Sequence, residues 1–259
     1  MTVEIRSLTT QEELSNCISL QKHIWGLDDL GVTSPITLKA LSMADPEMSI
    51  ALGGYIGEKM AGFVLIMPAM EPRTVYGHML GVMEEHRDSG LGNMLHQTVM
   101  QRISERNVKR MFWTYEPLES RNAHVYLNKG GAILTAYRES CFEVDCDKHR
   151  GMPLDRLLTC VDLENPDIPE RVESLEEALH MYPVARVDDM PSAHRVLIPI
   201  PSDLDRLKLV DFEAASRARF ETRALFSEYL NRRGYIGRRL ISDKTTGLQQ
   251  SYYVLEREV

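Results

Sequence analysis

The sequence has few cysteines, no long hydrophobic run and no excess of basic residues. Its four cysteines are scattered over 259 residues, which argues against a disulfide framework and predicts reduced thiols. No apolar run approaches the roughly 20 residues of a transmembrane helix. No hydrophobic segment typical of a secretion signal follows the first methionine. These absences predict a cytoplasmic protein that has no membrane partner.

The charge balance is acidic, with 38 aspartates and glutamates against 30 lysines and arginines. A nucleic-acid-binding surface normally shows a basic excess, so we expect no nucleic-acid partner. Cys141, Cys146 and His149 lie close together in the sequence. No second pair of ligands at the spacing of a zinc site accompanies them, so we predict no metal site.

Hydrophobic periodicity predicts alternating strands and helices in the first part of the chain. Ser120 is expected to cap the last of these helices, and Pro117 to end the strand before it. The order is typical of an α/β fold with a mixed sheet. The predicted strands are 3–9, 48–57, 59–70, 74–83, 109–117, 132–144 and 155–164, and the predicted helices are 11–25, 34–44, 91–106 and 120–130.

The composition changes after Glu164, where proline recurs and predicts an irregular connector. A short strand at 196–201, a long helix at 203–233 and a hairpin that turns near Thr246 and Gly247 are expected beyond it. No internal repeat is recognised. We therefore predict two domains, at 1–163 and at 164–259, the second being an α+β extension packed on the first.

The stretch HRDSGLGNML places two glycines between a predicted strand and a predicted helix. A Walker loop requires lysine after the second glycine, where this chain has Asn93. A dinucleotide fingerprint requires a small residue where Leu95 stands. The remaining pattern, arginine-x-x-glycine-x-glycine, is met by Arg87, Gly90 and Gly92. Backbone amides in such a corner can bind a pyrophosphate.

With their surroundings, these glycines carry a family resemblance. LGVMEEHRDSGLGNML followed by WTYEPLESRNAHVYLNKGGA resembles the GNAT superfamily of acyl-CoA-dependent N-acyltransferases, over residues 1–163. Together with GMPLDRL, it resembles a bacterial branch with a long C-terminal extension. The resemblance implies a splayed central sheet, acetyl-CoA or succinyl-CoA as co-substrate, and the amine of a small molecule as acceptor, an amino acid among the candidates.

The resemblance also implies which residues contact the coenzyme. The glycine corner would hold the pyrophosphate, the end of the preceding strand would pair with the pantetheine arm, and two asparagines would bind its amides. The expected contacts are Leu80, Gly81, Val82, Arg87, Asp88, Ser89, Gly90, Leu91, Gly92, Asn93, Asn122 and Asn128.

For catalysis, a base must deprotonate the attacking amine. Two-residue periodicity places His78 on the same strand face as Leu80 and Val82, which makes its imidazole the first candidate. Glu116, at the end of the next strand, is the second candidate. A bulge in the first strand would reverse the periodicity and favour Glu116.

A general acid is less well defined. The resemblance places a catalytic tyrosine where this chain has Leu127, which leaves the adjacent Tyr126 as the candidate. Two other functions stay open: a protein-lysine or antibiotic acetyltransferase, and a non-catalytic acyl-CoA-binding module. A homodimer is also left open.

Overall fold

The computed structural model describes residues 2–44, 50–87, 89–142, 151–242 and 250–257. They belong to two compact units, the first comprising Met1–Trp113 with Glu143–Gly151 and the second Thr114–Phe142 with Met152–Val259. The described part of the chain contains no helix that is long and apolar enough to span a membrane. Each unit is described in turn.

The first unit is a sheet with helices against it. Strands β1 to β4 form an antiparallel meander, and β4 runs parallel to the start of β5. This arrangement confirms the predicted α/β class. The elements are β1 (Val3–Ser7), α1 (Gln11–Trp25), α2 (Pro35–Ala44), β2 (Ile50–Ile56), β3 (Lys59–Pro68), β4 (Thr74–Val82), α3 (Leu91–Glu105) and β5 (Arg110–Tyr115).

Local sequence explains where the helices of this unit begin and which faces they bury. Thr10 and Glu13 form a capping box at the start of α1, and Gly26 ends that helix in the left-handed conformation. The apolar face of α1 packs against β3 around Phe63. Helix α3 buries one face, formed by Leu91, Leu95, Val99 and Ile103.

The second unit contains an antiparallel sheet in the order β7–β6–β9–β10–β8. Helices α4 and α7 each continue into a turn of π-helix, at His124–Lys129 and Ser227–Arg232. The elements are α4 (Ser120–Ala123), β6 (Ile133–Phe142), β7 (Leu154–Asp162), α5 (Leu175–Met181), β8 (Arg195–Pro201), α6 (Leu204–Val210), α7 (Phe212–Phe226), β9 (Tyr235–Ser242) and β10 (Gln250–Arg257).

Two predictions about helices in this unit were wrong. Glu119, not Ser120, is the N-cap of α4, and the Ser120 hydroxyl donates to the carbonyl oxygen of Ser202, 2.6 Å away. The long helix expected at 203–233 is interrupted at Asp211. The carboxylate of Asp211 accepts from the Ala214 amide at 2.9 Å and starts a new helix, α7.

The proline-rich connector also contains a helix that was not predicted, α5. Ser174 and Glu177 form a capping box at its start, a signal that the sequence does carry. The hairpin of β9 and β10 is present, whereas the expected turn at Thr246 and Gly247 lies outside the described residues.

The compact units divide the chain differently from the predicted domains. Strands β6 and β7 come from the first predicted domain, yet they share a sheet with β8, β9 and β10 of the extension. Within this unit the extension is therefore packed on the end of the preceding domain. The boundary at residue 163 stays a prediction.

Candidate active site

The glycine corner of the first unit lies where β4 leads into α3. Gly90 is the N-cap of α3 and has a φ of 84°, a left-handed conformation that favours glycine. The first hydrogen bond of this helix runs from the Met94 amide to the Gly90 carbonyl at 3.0 Å. The amides before Met94 therefore point out of the helix start, as an anion site requires.

Gly92 lies on this corner against the end of β4. A Cβ atom built there would be 3.5 Å from Cγ2 of Val82 and 3.9 Å from Cδ2 of Leu80, which are ordinary contacts. The fold itself therefore accommodates a small side chain at this position. Ser89 and Asn93 complete the described corner, while Asp88 lies outside the described residues.

Of the other two residues expected at the coenzyme corner, Arg87 is exposed and Leu91 is buried. The guanidinium of Arg87 is 3.8 Å from the Glu84 carboxylate, and both side chains are exposed. Leu91 is buried beneath the corner, against Gly54 and Gly62. Any contact of Leu91 with a coenzyme at this corner would therefore come from its backbone.

Strand β4 changes its pairing halfway along its length. Its parallel ladder with β5 runs from Thr74 to Gly77 and ends at the pair of Gly77 with Trp113. Within the described part of this unit, residues 78–82 pair only with β3. The other edge of Leu80, Gly81 and Val82 thus presents backbone groups with no ladder partner in the unit.

A β-bulge at His78 reverses the predicted periodicity. Gly77 pairs with Ile66 and Met79 pairs with Leu65, so His78 is the extra residue. Leu80 and Val82 approach Gly92 of α3, whereas His78 bonds to the loop between α1 and α2. The prediction that His78 shares a face with Leu80 and Val82 was therefore wrong.

The imidazole of His78 is bonded to the loop between α1 and α2. Its Nε2 is 2.6 Å from Oγ1 of Thr33. The Thr33 amide in turn donates to the side-chain oxygen of Gln21 at 2.7 Å, and Gln21 is completely buried. Burial lowers the pKa of His78 below its usual value, which keeps the ring neutral at pH 7. A neutral imidazole can accept a proton.

Glu116, the second candidate base, lies in the second unit and is buried in ion pairs. Its carboxylate bonds to the guanidinium of Arg219, which is completely buried, and lies 3.6 Å from that of Arg156. It also accepts from the Leu118 amide at 3.1 Å. This engagement indicates a structural role and does not fit the expected role of base.

Tyr126, the candidate acid, packs edge-on against the ring of Tyr115, with 5.3 Å between centroids. Burial raises the pKa of the Tyr126 phenol above its usual value, so the group keeps its proton at neutral pH. Leu127, beside it, is completely buried. The role of Tyr126 as acid stays a prediction.

The two asparagines expected at the coenzyme differ in their surroundings. Asn128 donates to the Leu240 carbonyl at 2.7 Å and accepts from the Leu240 amide at 2.9 Å. Since both ends of its amide hold β9, the expected role of Asn128 in coenzyme binding is corrected to a structural one. Asn122 is half-buried on α4, and its role stays a prediction.

Comparison with known proteins agrees with this geometry. Residues 19–130 match the model of the acetyltransferase (GNAT) family. These residues therefore have the sequence pattern of a GNAT acetyltransferase domain. GNAT enzymes use acyl-CoA as the donor in N-acyl transfer, so the protein is an acyl-CoA-dependent N-acyltransferase. No curated protein matches the chain.

One solved structure supports the fold, and a second has a slightly lower TM-score. The ribosomal-protein-S18-alanine N-acetyltransferase from Escherichia coli has 13% sequence identity and a TM-score of 0.50, covering 66% of this chain and 99% of its own. An acetyltransferase of the GNAT family from Streptococcus pneumoniae has 17% identity and a TM-score of 0.49, covering 61% of this chain and 98% of its own.

Sequence reasoning missed the residues that surround His78 in the GNAT fold. Thr33 lies 45 positions before His78 and belongs to a loop with no recognisable motif. Gln21 lies inside a helix whose pattern indicates only that it is amphipathic. The one available signal was that Gln21, a polar residue, lies on the apolar face of its helix, where it is buried and needs a hydrogen-bond partner.

Proposed function

We propose that the protein transfers an acyl group from acetyl-CoA or succinyl-CoA to the amine of a small molecule, with His78 as the general base. The observation that carries this proposal is the position of His78. It forms a bulge where β4 loses its ladder with β5, immediately before Leu80, Gly81 and Val82.

The open edge of β4 supports binding of the pantetheine arm. An extended ligand can bond to backbone groups that lack a ladder partner, as an added strand would. Leu80–Val82 lead directly into the glycine corner, where the amides at the start of α3 suit a pyrophosphate. Coenzyme bound along this path would pass His78 at its acyl end.

The bond to Thr33 supports a defined tautomer of His78. With the proton on Nε2, the ring donates to the Thr33 hydroxyl and leaves the lone pair of Nδ1 available. Nδ1 then accepts a proton from the ammonium form of the acceptor. The neutral amine attacks the thioester carbon, the carbon–sulfur bond breaks, and the thiolate of coenzyme A leaves. The proton that remains on the nitrogen passes to this thiolate, which gives an amide and free thiol.

A small acceptor is favoured by the surroundings of His78. The ring is partly buried and bonds to Thr33 of the loop between α1 and α2, so a small acceptor amine can reach it more easily than a bulky one. An amino acid fits this description, and a lysine of a folded protein is the alternative. Among the described residues, Cys17, Cys141 and Cys160 form no disulfide, which supports the predicted cytoplasmic location.

Release of free thiol from a matrix of donors and amines tests the proposal. We expect thiol release with a small amine and acetyl-CoA or succinyl-CoA, and loss of most of it in His78→Ala. Thiol release that occurs only with a protein substrate would contradict the small acceptor. Coenzyme binding without any amine-dependent thiol release would indicate a binding module.

A further inference from the structure

Two stretches of the second unit have nearly the same sequence. Residues 126–131 read YLNKGG and residues 229–234 read YLNRRG, each residue of the second lying 103 positions after its counterpart. Both stretches belong to turns of π-helix, which are themselves 103 positions apart. Gly131 and Gly234 both have a positive φ, of 63° and 70°, and both lead into a strand. The expectation of no internal repeat was therefore wrong.

The asparagines of the two stretches make reciprocal contacts. Asn128 bonds to both backbone groups of Leu240 on β9. Asn231 bonds to both backbone groups of Tyr137 on β6, at 3.0 Å each. Leu240 is also the counterpart of Tyr137, 103 positions later. Each helix thus holds the strand of the other stretch, as a two-fold axis between them requires.

The two hairpins repeat the same irregularity. Thr135 has no partner in the ladder of β6 with β7, and its counterpart Arg238 has none in the ladder of β9 with β10. Strands β6 and β9 pair antiparallel through Leu134 and Gly237, which are also counterparts. The local axis therefore passes through this pair.

The axis explains why a glycine stands at position 237. A Cβ atom there would lie 2.5 Å from Cδ1 of Leu134. Two leucines facing each other across the axis would collide, so one of the two copies must be small at this point. The difference between the copies is therefore a consequence of their contact.

From these contacts we infer that residues 124–142 with 151–162, and 227–242 with 250–257, are two copies of one helix–hairpin unit, and that the second copy serves as a built-in partner. An edge strand presents unpaired backbone groups that invite pairing with another chain. Here β9 covers the edge of β6 from within the same chain. The surface through which β6 would pair with a second molecule is thus already occupied.

A disulfide across the axis tests the built-in partner. A Cβ atom at position 237 would lie 2.9 Å from that of Leu134, closer than the roughly 3.5–4.5 Å of a disulfide, so the strands must separate slightly for the bond to form. We expect full-length Leu134→Cys/Gly237→Cys to form its disulfide within one chain. It would then run as a monomer on a non-reducing gel and in light scattering. A disulfide-linked dimer as the main product would overturn the inference, because β6 and β9 would then pair between chains.

The equivalence of the two copies has a separate test. Full-length Asn128→Ala and Asn231→Ala should lower the melting temperature by similar amounts, roughly 2–8 °C each, since each leaves one strand's backbone groups unbonded. Asn165→Ala, at an exposed asparagine, is the control and should melt as the unchanged protein does. If only one of the two asparagine variants had a lower melting temperature, the two copies would not be equivalent.

Discussion

The hydroxyl oxygen of Thr33 lies 2.6 Å from Nε2 of His78. This bond joins the loop after α1 to the bulge of β4, two segments 45 positions apart in the chain. Gln21 supports it by accepting from the Thr33 amide at 2.7 Å. The orientation of the proposed base is therefore set by a loop, and a change in that loop should alter catalysis without touching the coenzyme corner.

Replacing Thr33 tests this orientation. Thr33→Val keeps the shape of the side chain and removes the hydroxyl, so Nε2 loses its partner. We expect kcat to fall about 3- to 10-fold, the usual value of one hydrogen bond, with a smaller change in KM. The acidic limb of the pH–rate profile should move to lower pH, because the protonated ring loses an acceptor.

Thr33→Ser is the matched control, because it restores the hydroxyl in a smaller side chain. Its kcat and pH profile should return close to those of the unchanged protein. Equal losses in Thr33→Val and Thr33→Ser would show that Thr33 acts through packing alone. An inactive unchanged protein would instead count against the proposed function.

His78→Ala should lower turnover by roughly 10²–10⁴-fold, the usual contribution of a positioned base. Coenzyme affinity, measured by calorimetry, should stay within a few-fold, because the glycine corner is unchanged. Glu116→Gln is a poor control because it breaks a buried ion pair, so exposed His180→Ala on α5 serves instead. Unchanged turnover in His78→Ala would remove His78 from the mechanism.

The pH dependence has a defined sign. Burial lowers the pKa of His78 from its ordinary value near 6.5. The neutral ring is the reactive form, so the rate should be flat through neutral pH. It should fall only as the pH drops through the lowered value. A fall in rate that begins above pH 6.5 would indicate another titrating group. If His78→Ala kept the same acidic limb, that limb would belong to the other group.

Much of the first unit could be predicted because its signals are local. The boundaries of α1 follow from Thr10, Glu13 and Gly26, and the glycine corner follows from a short motif. The bulge at His78 could not be predicted, because it depends on how β3 and β4 pair. One extra residue moved the imidazole to the opposite face, away from Leu80 and Val82.

Gly92 provides a test of the coenzyme corner. Gly92→Ala adds a methyl group that the fold accommodates, 3.5 Å from Val82. Gly92→Glu adds a longer side chain and a negative charge beside the amides expected to hold the pyrophosphate. We expect normal melting for Gly92→Ala. For Gly92→Glu we expect loss of coenzyme binding in a folded protein. Unchanged affinity in Gly92→Glu would place the site elsewhere.

The buried pair of Glu116 and Arg219 should act on stability. Arg219 is completely buried and its partner nearly so. Removing one charge leaves the other without compensation, so Glu116→Gln should cost about 3–5 kcal/mol in the free energy of unfolding. Urea denaturation measures this loss. A stable Glu116→Gln variant with greatly reduced turnover would instead restore Glu116 as the catalytic base.

The second unit was harder to predict because its order depends on contacts between distant segments. The stretch YLNKGG was visible as part of a family motif, and YLNRRG was visible as a helix end. The two stretches are alike in sequence, but a match over six residues is too short to predict a repeat by itself. The bonds of Asn128 to Leu240 and of Asn231 to Tyr137 relate the two stretches in the structure, and those bonds have no local signal in one sequence.

Ending the chain at Glu164 tests whether the extension is an integral part of the enzyme. Such a truncation removes β9, and with it the partner of β6 and the Leu240 backbone that Asn128 holds. It also removes Arg219, which would leave the buried Glu116 with one guanidinium fewer. An exposed strand edge and a buried carboxylate that keeps Arg156 but loses Arg219 as an ion-pair partner both favour unfolding or aggregation. We therefore expect an insoluble or inactive product, measured by soluble yield and thiol release. A soluble truncation with full turnover would show that residues 165–259 form a dispensable module.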